Sequence, residues 1–497
     1  MVKENVEKDI QQKQLIVDNT VQKLKTIAQK SIQASNYDKA LDAISAAGNI
    51  LYQWNQYYTD DELESDIVRV SEMLVTPAYK KSEAEPNTIL FYDNFGLDVR
   101  GLIIIYLKAL CELNYHVVYV TVARAQNNQP ELHLAVEGHN IEWIYIHAKN
   151  KLQKLKELSD AFAKYKPNVA FFYTTPDDAA GAAVFHRYGG IVTRFQINLT
   201  DHAFWLGKCA LDYCIEFRQY GASVSRKFRK ISEDKLILLP YYPYHRDREF
   251  QGFPFDSNGH KILFSGGALY KTLGDPKNSY YMIVSELLKR HQDLIFVYAG
   301  NGDSNELDKL IAKYPGQAYH IAERSDLFQV MEHSDLYLST YPVVGGLMLQ
   351  YAATAGVVPL TLVNGADNNY NGDSSGILMH QETVEYDSIE KLIIEADRLL
   401  TDSEYHDKRA VEMKNAVISE DNFKNNLKVA IESHNSVLPI ELYDIDTKWF
   451  RQQYLRRFCE KDIISAVAQP DQFSLFWDFP ALFWKRAVGA FKKRLLK

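Results

Sequence analysis

The stretch FSGGALYKTLGDP, residues 264–276, carries the pattern that decides the fold of the second half of the chain. An apolar run at 261–264 leads into Gly266 and Gly267, and Lys271 follows shortly before a helical pattern. Glycines at such a turn let the backbone approach a phosphate, and the N-terminus of the next helix favours an anion. The stretch therefore predicts a strand, a turn and a helix around an anion site. A purely structural turn with a solvated lysine is the alternative.

The same alternation of apolar runs and helical patterns extends in both directions. After the stretch, strands are predicted at 294–298, 318–321, 336–338 and 358–362, with helices at 278–290, 304–313, 325–333 and 345–355. Before it, strands are predicted at 89–92, 117–120, 141–145 and 169–173, with helices at 100–113 and 151–165. This spacing indicates parallel sheets covered by helices on both faces. A proline-marked stretch at 239–254 predicts a linker, so we expect two α/β domains with a ligand cleft between them.

Both ends of the chain differ from this pattern. Residues 1–80 have apolar residues at helical spacing and predict a helical extension, which acts as a cap, an oligomerisation hairpin or a surface for a protein partner. Residues 473–497 combine large aromatic side chains with lysine and arginine, and predict an amphipathic helix. That helix either lies in a membrane interface or packs back on the first domain with its basic end in solvent.

Composition excludes several classes of protein. The net charge of −8 gives no reason to expect a nucleic-acid partner. The 4 cysteines form no Cys-x-x-Cys pair, which argues against a structural zinc site or a disulfide framework. The sequence shows no signal-peptide pattern and no uncharged apolar stretch of transmembrane length, so we expect a cytoplasmic protein. No Asp-x-Asp motif follows a strand, and we expect chemistry without a bound metal.

Several motifs together resemble known glycosyltransferases. Residues 269–271 with 275–276 resemble the donor-domain motif of O-GlcNAc-transferase-like enzymes, and 298–303, 334–342, 345–346 and 353–359 resemble the glycosyltransferase group 1 family. The resemblance covers residues 88–435 and implies the GT-B fold, in which two Rossmann-like domains face a cleft. It implies an acceptor domain at 88–245 and a nucleotide-sugar domain at 258–410, followed by helices that cross back at 411–472. The helical extension at 1–80 and the tail at 473–497 lie outside the resemblance.

The resemblance also implies an activity, which is transfer of a sugar from a nucleotide-sugar, preferably a UDP-sugar, to a glycan, lipid-linked glycan or protein acceptor. A membrane-associated tail suits surface polysaccharide or glycoconjugate assembly. The first domain would bind the acceptor and the second domain the donor. The rival interpretation is a non-catalytic GT-B-like subunit that binds a partner glycosyltransferase or an acceptor protein.

The family roles map onto individual positions of the second domain. Lys271 would contact the donor diphosphate during catalysis, with its neighbour Tyr270 also at the donor. The backbone of two glycine pairs would approach the phosphates, and one turn would lie near the nucleoside; these residues are Gly266, Gly267, Gly345, Gly346, Gly300 and Asn301. Group 1 enzymes usually carry two glutamates eight positions apart, but the aligned positions here hold Val343 and Tyr351. Gln350 can supply hydrogen bonds after a one-residue register change, so Gln350 and Tyr351 are candidate donor contacts.

Candidate residues of the first domain follow two of its strands. His202 is the candidate for accepting the acceptor's proton or hydrogen-bonding the sugar. Its alternative role is structural, through a bond to Asp201 or to backbone. Asp98, Arg100 and Asp201 are candidates on the acceptor side, and helix capping or surface pairing is the alternative for Asp98 and Arg100.

Overall fold

The computed structural model describes residues 2–98, 102–363, 378 and 384–495, and within them it contains two parallel sheets. The first has the spatial order β3-β2-β1-β4-β5-β6-β7. Its strands are β1 (Glu85–Asp93), β2 (His116–Val122), β3 (Ile141–Ile146), β4 (Pro167–Tyr173), β5 (Thr193–Ile197), β6 (Tyr213–Glu216) and β7 (Leu236–Leu238). All of their pairings are parallel.

The second sheet has the spatial order β10-β9-β8-β11-β12-β13 and is also parallel. Its strands are β8 (Lys261–Gly266), β9 (Leu294–Ala299), β10 (Ala318–Ile321), β11 (Leu336–Leu338), β12 (Val358–Leu362) and β13 (Glu385–Tyr386). Apolar strands that are buried on both faces explain why the predicted runs read as nearly continuous. The predicted α/β class with two sheets in series is confirmed.

Helices cover both faces of each sheet. In the first half they are α1 (Val2–Gln33), α2 (Tyr37–Trp54), α3 (Asp61–Leu74), α4 (Ile103–Glu112), α5 (Pro130–Ala135), α6 (Lys151–Tyr165), α7 (Ala179–Arg187) and α8 (Gln219–Lys227). In the second half they are α9 (Ser279–Arg290), α10 (Asn305–Lys313), α11 (Leu327–Glu332), α12 (Gly346–Ala355), α13 (Ile389–Thr401), α14 (Ser403–Ala416), α15 (Glu420–Ser433), α16 (Lys448–Arg457), α17 (Glu460–Val467) and α18 (Pro480–Leu495).

The helical extension α1–α3 is part of the first domain's core. Buried side chains of α1 and α2, such as Leu24 and Ile44, belong to the same apolar cluster as Leu90 and Phe172 on one face of the first sheet. Apolar burial of this kind is the main source of helix stability in a folded domain. The extension is therefore built into the domain that it covers.

The chain returns to the first domain after its last sheet strand. Helix α15 packs on α4, where the Phe423 and Tyr106 rings meet edge to face with centroids 5.2 Å apart. Further on, the ring of Phe458 meets that of Trp54 at the end of α2, with centroids 4.8 Å apart. The C-terminal helices thus pack against both α4 and the extension.

The aromatic tail divides its side chains between core and solvent. Leu475 is buried, and Phe479, Leu482 and Phe483 pack against the first domain's core. Trp477, by contrast, is 84% exposed, and Phe473, Trp484, Val488 and Phe491 are also exposed. The packed side chains agree with the interpretation in which the tail packs back on the first domain, and a membrane contact of the exposed ones stays a prediction. None of the described helices is both long enough and apolar enough to span a bilayer.

Candidate active site

Two glycine turns of the second domain lie against each other, backbone to backbone. The amide of Gly267 donates to the Ala299 carbonyl over 2.9 Å, and the amide of Leu269 donates to the Asn301 carbonyl over 3.0 Å. Gly300 has φ +155°, and a Cβ there would lie 1.9 Å from the Gly267 carbonyl oxygen. Only glycine permits this approach, so the ends of β8 and β9 form one continuous glycine-lined surface.

Lys271 reaches from this surface to the start of helix α12. It lies in a short 3-10 turn, Leu269–Thr272, and its Nζ is 3.5 Å from the position that a Cβ of Gly345 would take. Gly345 is the N-cap of α12 and directly precedes Gly346, the first residue of the helix. The predicted lysine and second glycine pair are therefore adjacent in space.

The surroundings of Lys271 favour an anion. Burial lowers the pKa of its ammonium group. Among the described residues, no carboxylate forms an ion pair with it. The amides at a helix N-terminus carry partial positive charge as well, so two sources of positive potential meet here, and no carboxylate of the described residues is paired with the lysine. Such a combination favours the binding of an anion.

Helix α16 forms a wall of this site that the sequence did not indicate. The Arg457 guanidinium lies 5.3 Å from the centroid of the Tyr270 ring, which is 47% exposed, and 4.8 Å from that of Tyr454. Tyr454 in turn lies near His202, with ring centroids 6.4 Å apart. Residues of α16 thus connect His202 of the first domain to the turn that holds Lys271.

The side chains of Gln350 and Tyr351, the candidate donor contacts, bind the linker between the domains. Gln350 is buried and donates its side-chain amide to the Tyr241 carbonyl, and the Tyr351 hydroxyl donates to the Tyr244 carbonyl over 2.7 Å. Both partners belong to the linker at 239–254. The side chains hold the linker to α12, because the linker's carbonyls need donors where no sheet partner is present. Asn301 makes a 3.3 Å hydrogen bond to the exposed Glu323.

His202 is held by a buried ion pair. Its Nδ1 is 3.1 Å from Oδ1 of Asp201, whose Oδ2 accepts from Nε of Arg218 over 2.6 Å. Although burial opposes its ionisation, the charge of Arg218 holds the pKa of Asp201 well below its usual range. Burial lowers the pKa of His202, and Asp201 opposes that shift. A carboxylate only accepts hydrogen bonds, so Nδ1 carries the proton and Nε2 of the neutral ring is the basic nitrogen.

The acceptor-side predictions are altered by these contacts. Asp201 is fully buried, so it orients His202 instead of facing an acceptor. Asp98 accepts from the amides of Glu131 at 3.1 Å and Leu132 at 2.8 Å, and therefore caps helix α5. The capping alternative thus describes Asp98. Arg100 lies outside the described residues.

Comparisons with known proteins identify the fold. No protein-family model matches the sequence, and no curated protein sequence matches it. A lysine-to-methionine mutant of the O-GlcNAc transferase of Thermobaculum terrenum aligns with TM-score 0.51 and 15% identity, over 89% of this chain and 83% of that one. A Listeria monocytogenes protein, described as a UDP-N-acetylglucosamine 2-epimerase, aligns with TM-score 0.50 and 13% identity, over 73% of this chain and 100% of that one. The chain has the GT-B fold.

Within this GT-B fold, some predicted residues come together and others do not. The glycine turns, Lys271 and the start of α12 form one surface at the carboxyl ends of the second sheet. His202 follows the carboxyl end of β5 in the first sheet. Among the described residues, no group of three or more His, Cys, Asp or Glu side chains is arranged to hold a metal ion.

Proposed function

We propose that the protein is a glycosyltransferase that moves a sugar from a nucleotide-sugar, preferably a UDP-sugar, to a glycan, lipid-linked glycan or protein acceptor. The observation that carries the proposal is the ammonium group of Lys271, which lies without an ion-pair partner among the described residues at the start of α12. Both structural neighbours named above are, by their descriptions, proteins of N-acetylglucosamine chemistry. Fold likeness alone leaves function open, so the site is the argument.

In the proposed sugar transfer, this site stabilises the negative charge that develops on the departing diphosphate. The acceptor oxygen forms a bond to the anomeric carbon while the bond from that carbon to the diphosphate oxygen breaks. The diphosphate leaves with the electron pair, and the acceptor hydroxyl loses its proton. Lys271 and the first amides of α12 stabilise the charge that grows on the diphosphate, in a site from which water is partly excluded.

His202 is the proposed proton acceptor. Its Nδ1 is occupied by Asp201, so Nε2 is the nitrogen that can accept a proton from the acceptor hydroxyl. The lowered pKa keeps the ring neutral at pH 7, which this role requires. Asp201 and Arg218 act as positioning residues that fix the orientation of the imidazole.

We also propose that transfer needs no bound metal, because Lys271 and α12 supply the positive charge that a divalent cation would otherwise supply. Activity that survives saturating EDTA supports this part of the proposal. Activity that EDTA abolishes and Mg²⁺ or Mn²⁺ restores would overturn it. The assignment of the donor site is tested independently, by nucleotide binding.

The tail supports a peripheral position at the inner face of the cell membrane. Trp484, Val488 and Phe491 are exposed at positions i, i+4 and i+7 of α18, so they share one face of the helix. Lys485 and Arg486 are exposed beside them. Exposed aromatic side chains with neighbouring cations bind the interface of an anionic bilayer. Such a position suits a lipid-linked acceptor and assembly of surface polysaccharide.

One observation favours the alternative of a non-catalytic subunit. Val343 packs in an apolar cluster with Tyr58, Tyr220 and Val224, while Gln350 and Tyr351 hold the linker. The positions that align with the family's two glutamates thus serve packing between the domains. A subunit that binds a partner glycosyltransferase has no need of a ribose-binding carboxylate.

Calorimetric titration of the full chain with UDP, GDP and dTDP separates the two functions. Binding of one nucleotide, followed by hydrolysis or transfer of the matching sugar, supports the glycosyltransferase. Binding of none of the three, by protein that is folded by circular dichroism, contradicts it and favours the subunit.

A further inference from the structure

The turn that carries His202, residues 200–203, is held through its main-chain carbonyls. Nη2 of the buried Arg229 lies within hydrogen-bonding distance of three of them, at 3.3 Å from Thr200, 3.0 Å from Asp201 and 2.6 Å from Ala203. A turn beyond the end of a strand has no sheet partner for its carbonyls, so buried side chains have to satisfy them. Arg229 therefore fixes the backbone on both sides of His202.

The remaining carbonyl of this turn, that of His202 itself, accepts from the helical extension. Nδ2 of Asn55 donates to it over 3.0 Å, and Asn55 is completely buried. Asn55 is the C-cap of α2 and lies in the left-handed region, with φ +48°. Glycine is the usual residue at such a helix end, and asparagine is one of the few side chains that tolerate it. The asparagine here therefore adds an amide donor that glycine lacks, and that donor reaches His202.

Two buried aromatic rings lie against the Arg229 guanidinium. Its central carbon is 5.3 Å from the ring centroid of Tyr58, which follows α2, and 5.1 Å from that of Trp205, which follows the turn. The attraction between a cation and an aromatic face is stronger where water is excluded. The extension thus contacts both groups that hold the turn, through Asn55 at the His202 carbonyl and through Tyr58 at the guanidinium.

The same end of α2 also binds helix α16. Nε2 of Gln56 donates to the Arg451 carbonyl over 3.1 Å, and Nη1 of Arg451 donates to the Gln56 carbonyl over 3.0 Å. Helix α16 carries Tyr454, whose ring lies near that of His202. Residues 55–58 therefore fix both the turn that holds the imidazole and the helix that faces it.

We propose that the end of α2 in the helical extension positions the His202 imidazole for proton transfer, with Asn55 as the main positioning residue. The inference rests on the proposed function, in which His202 accepts the acceptor's proton, and it adds a residue from outside the two α/β domains. Asn55 acts through the His202 carbonyl, which it holds so that Nδ1 faces Asp201. A misplacement of about 1 Å at a reacting group costs up to about 10²-fold in rate, so loss of this bond should reduce transfer.

The test replaces Asn55 by glycine in the full chain, because glycine adopts φ +48° without strain and removes the amide. Asn55→Asp is a second variant, which keeps the size of the side chain and presents only acceptors to the carbonyl. The matched control is Asn114→Gly, since Asn114 is exposed after α4 and also has a left-handed backbone, with φ +61°. ¹⁵N NMR of histidine-labelled protein reports the tautomer of each imidazole, and His202→Gln identifies the signals of His202. Circular dichroism checks that each variant is folded.

In the wild type and in Asn114→Gly, the His202 signals should show one neutral tautomer with the proton on Nδ1. In both Asn55 variants they should show a mixture of tautomers, and kcat should fall about tenfold or more, while the KM for the donor and the affinity for UDP stay unchanged. His202 signals or a kcat that match those of Asn114→Gly would overturn the proposal. If the chain binds no nucleotide, the proposed function fails, while altered His202 signals in the Asn55 variants still support the positioning role.

Discussion

Replacing Lys271 by methionine removes the ammonium group and keeps most of the side chain's length. The ammonium has no described ion-pair partner, and burial lowers its pKa. The folded protein therefore holds this charge less favourably than the unfolded chain does, and the penalty is largest at pH values below the lowered pKa. Lys271→Met should leave the unfolding temperature unchanged or raise it slightly.

The same substitution should strongly weaken donor binding. A hydrogen bond to a charged group contributes about 1.5–3 kcal/mol, and about 1.4 kcal/mol corresponds to a factor of ten, so the Kd for UDP should rise about 10- to 150-fold. Transfer should fall further, by about 10²–10³ in kcat, because the diphosphate gains charge as it leaves.

Calorimetry with UDP and thermal unfolding by circular dichroism measure the two effects on the same protein. Lys271→Arg is the matched control, since it keeps the charge, and it should retain most of the affinity. A lowered unfolding temperature together with unchanged UDP affinity would refute the reasoning. That outcome would make Lys271 a structural residue whose charge is stabilised by the fold itself.

Three further predictions concern charge, backbone and tail. UDP affinity should fall as pH rises through the lowered pKa of Lys271, below its ordinary value of 10.5, because the neutral amine attracts the diphosphate less. Lys271→Arg should lack this step, and titration of the nucleotide itself is common to both proteins. Gly300→Ala should lower the free energy of unfolding by about 1–3 kcal/mol and weaken the binding of UDP, because the added Cβ would collide with the Gly267 carbonyl. Gly259→Ala is its control, with φ +74° and no atom within 4 Å of the added Cβ, and equal losses in both would contradict the close approach. The double variant Trp477→Ser/Trp484→Ser should no longer co-sediment with anionic liposomes, whereas Tyr57→Ser, which removes an exposed aromatic ring elsewhere, should still do so. Unchanged liposome binding by the double variant would show that the tail is not the membrane contact.

Much of the sheet structure follows from local sequence. The runs that became β1, β2, β8 and β9 are continuously apolar, because these strands are buried on both faces. Strands β6, β7 and β13 escaped prediction because they are short, and β6 also ends in a buried ionisable side chain. Glu216 is completely buried, and burial raises its pKa to about 7. Its partners Asn198 and Ser225 are distant in sequence and could not be paired with it beforehand.

The candidate site was predictable where it depends on the backbone. The glycine turns and the start of α12 are set by strand–turn–helix geometry, which the spacing of the motifs carries. Side-chain roles that depend on distant partners were not predictable. Capping was foreseen as an alternative for Asp98, but not that the capped helix is α5, more than thirty residues away. Gln350 binds the linker, and α16 approaches Tyr270 from a segment more than a hundred residues away. Hydrophobic periodicity also could not divide the tail between Leu475, which is buried, and Trp477, which is exposed.

The central claim is that Lys271 and the start of α12 hold the donor's diphosphate, and a crystal structure of the UDP complex tests it most directly. The account predicts a phosphate oxygen within about 2.7–3.2 Å of Lys271 Nζ and another facing the first amides of α12. The uridine should then lie toward Gly300 and Asn301. A diphosphate bound elsewhere, or a site that stays empty in crystals grown with saturating UDP, would contradict the account.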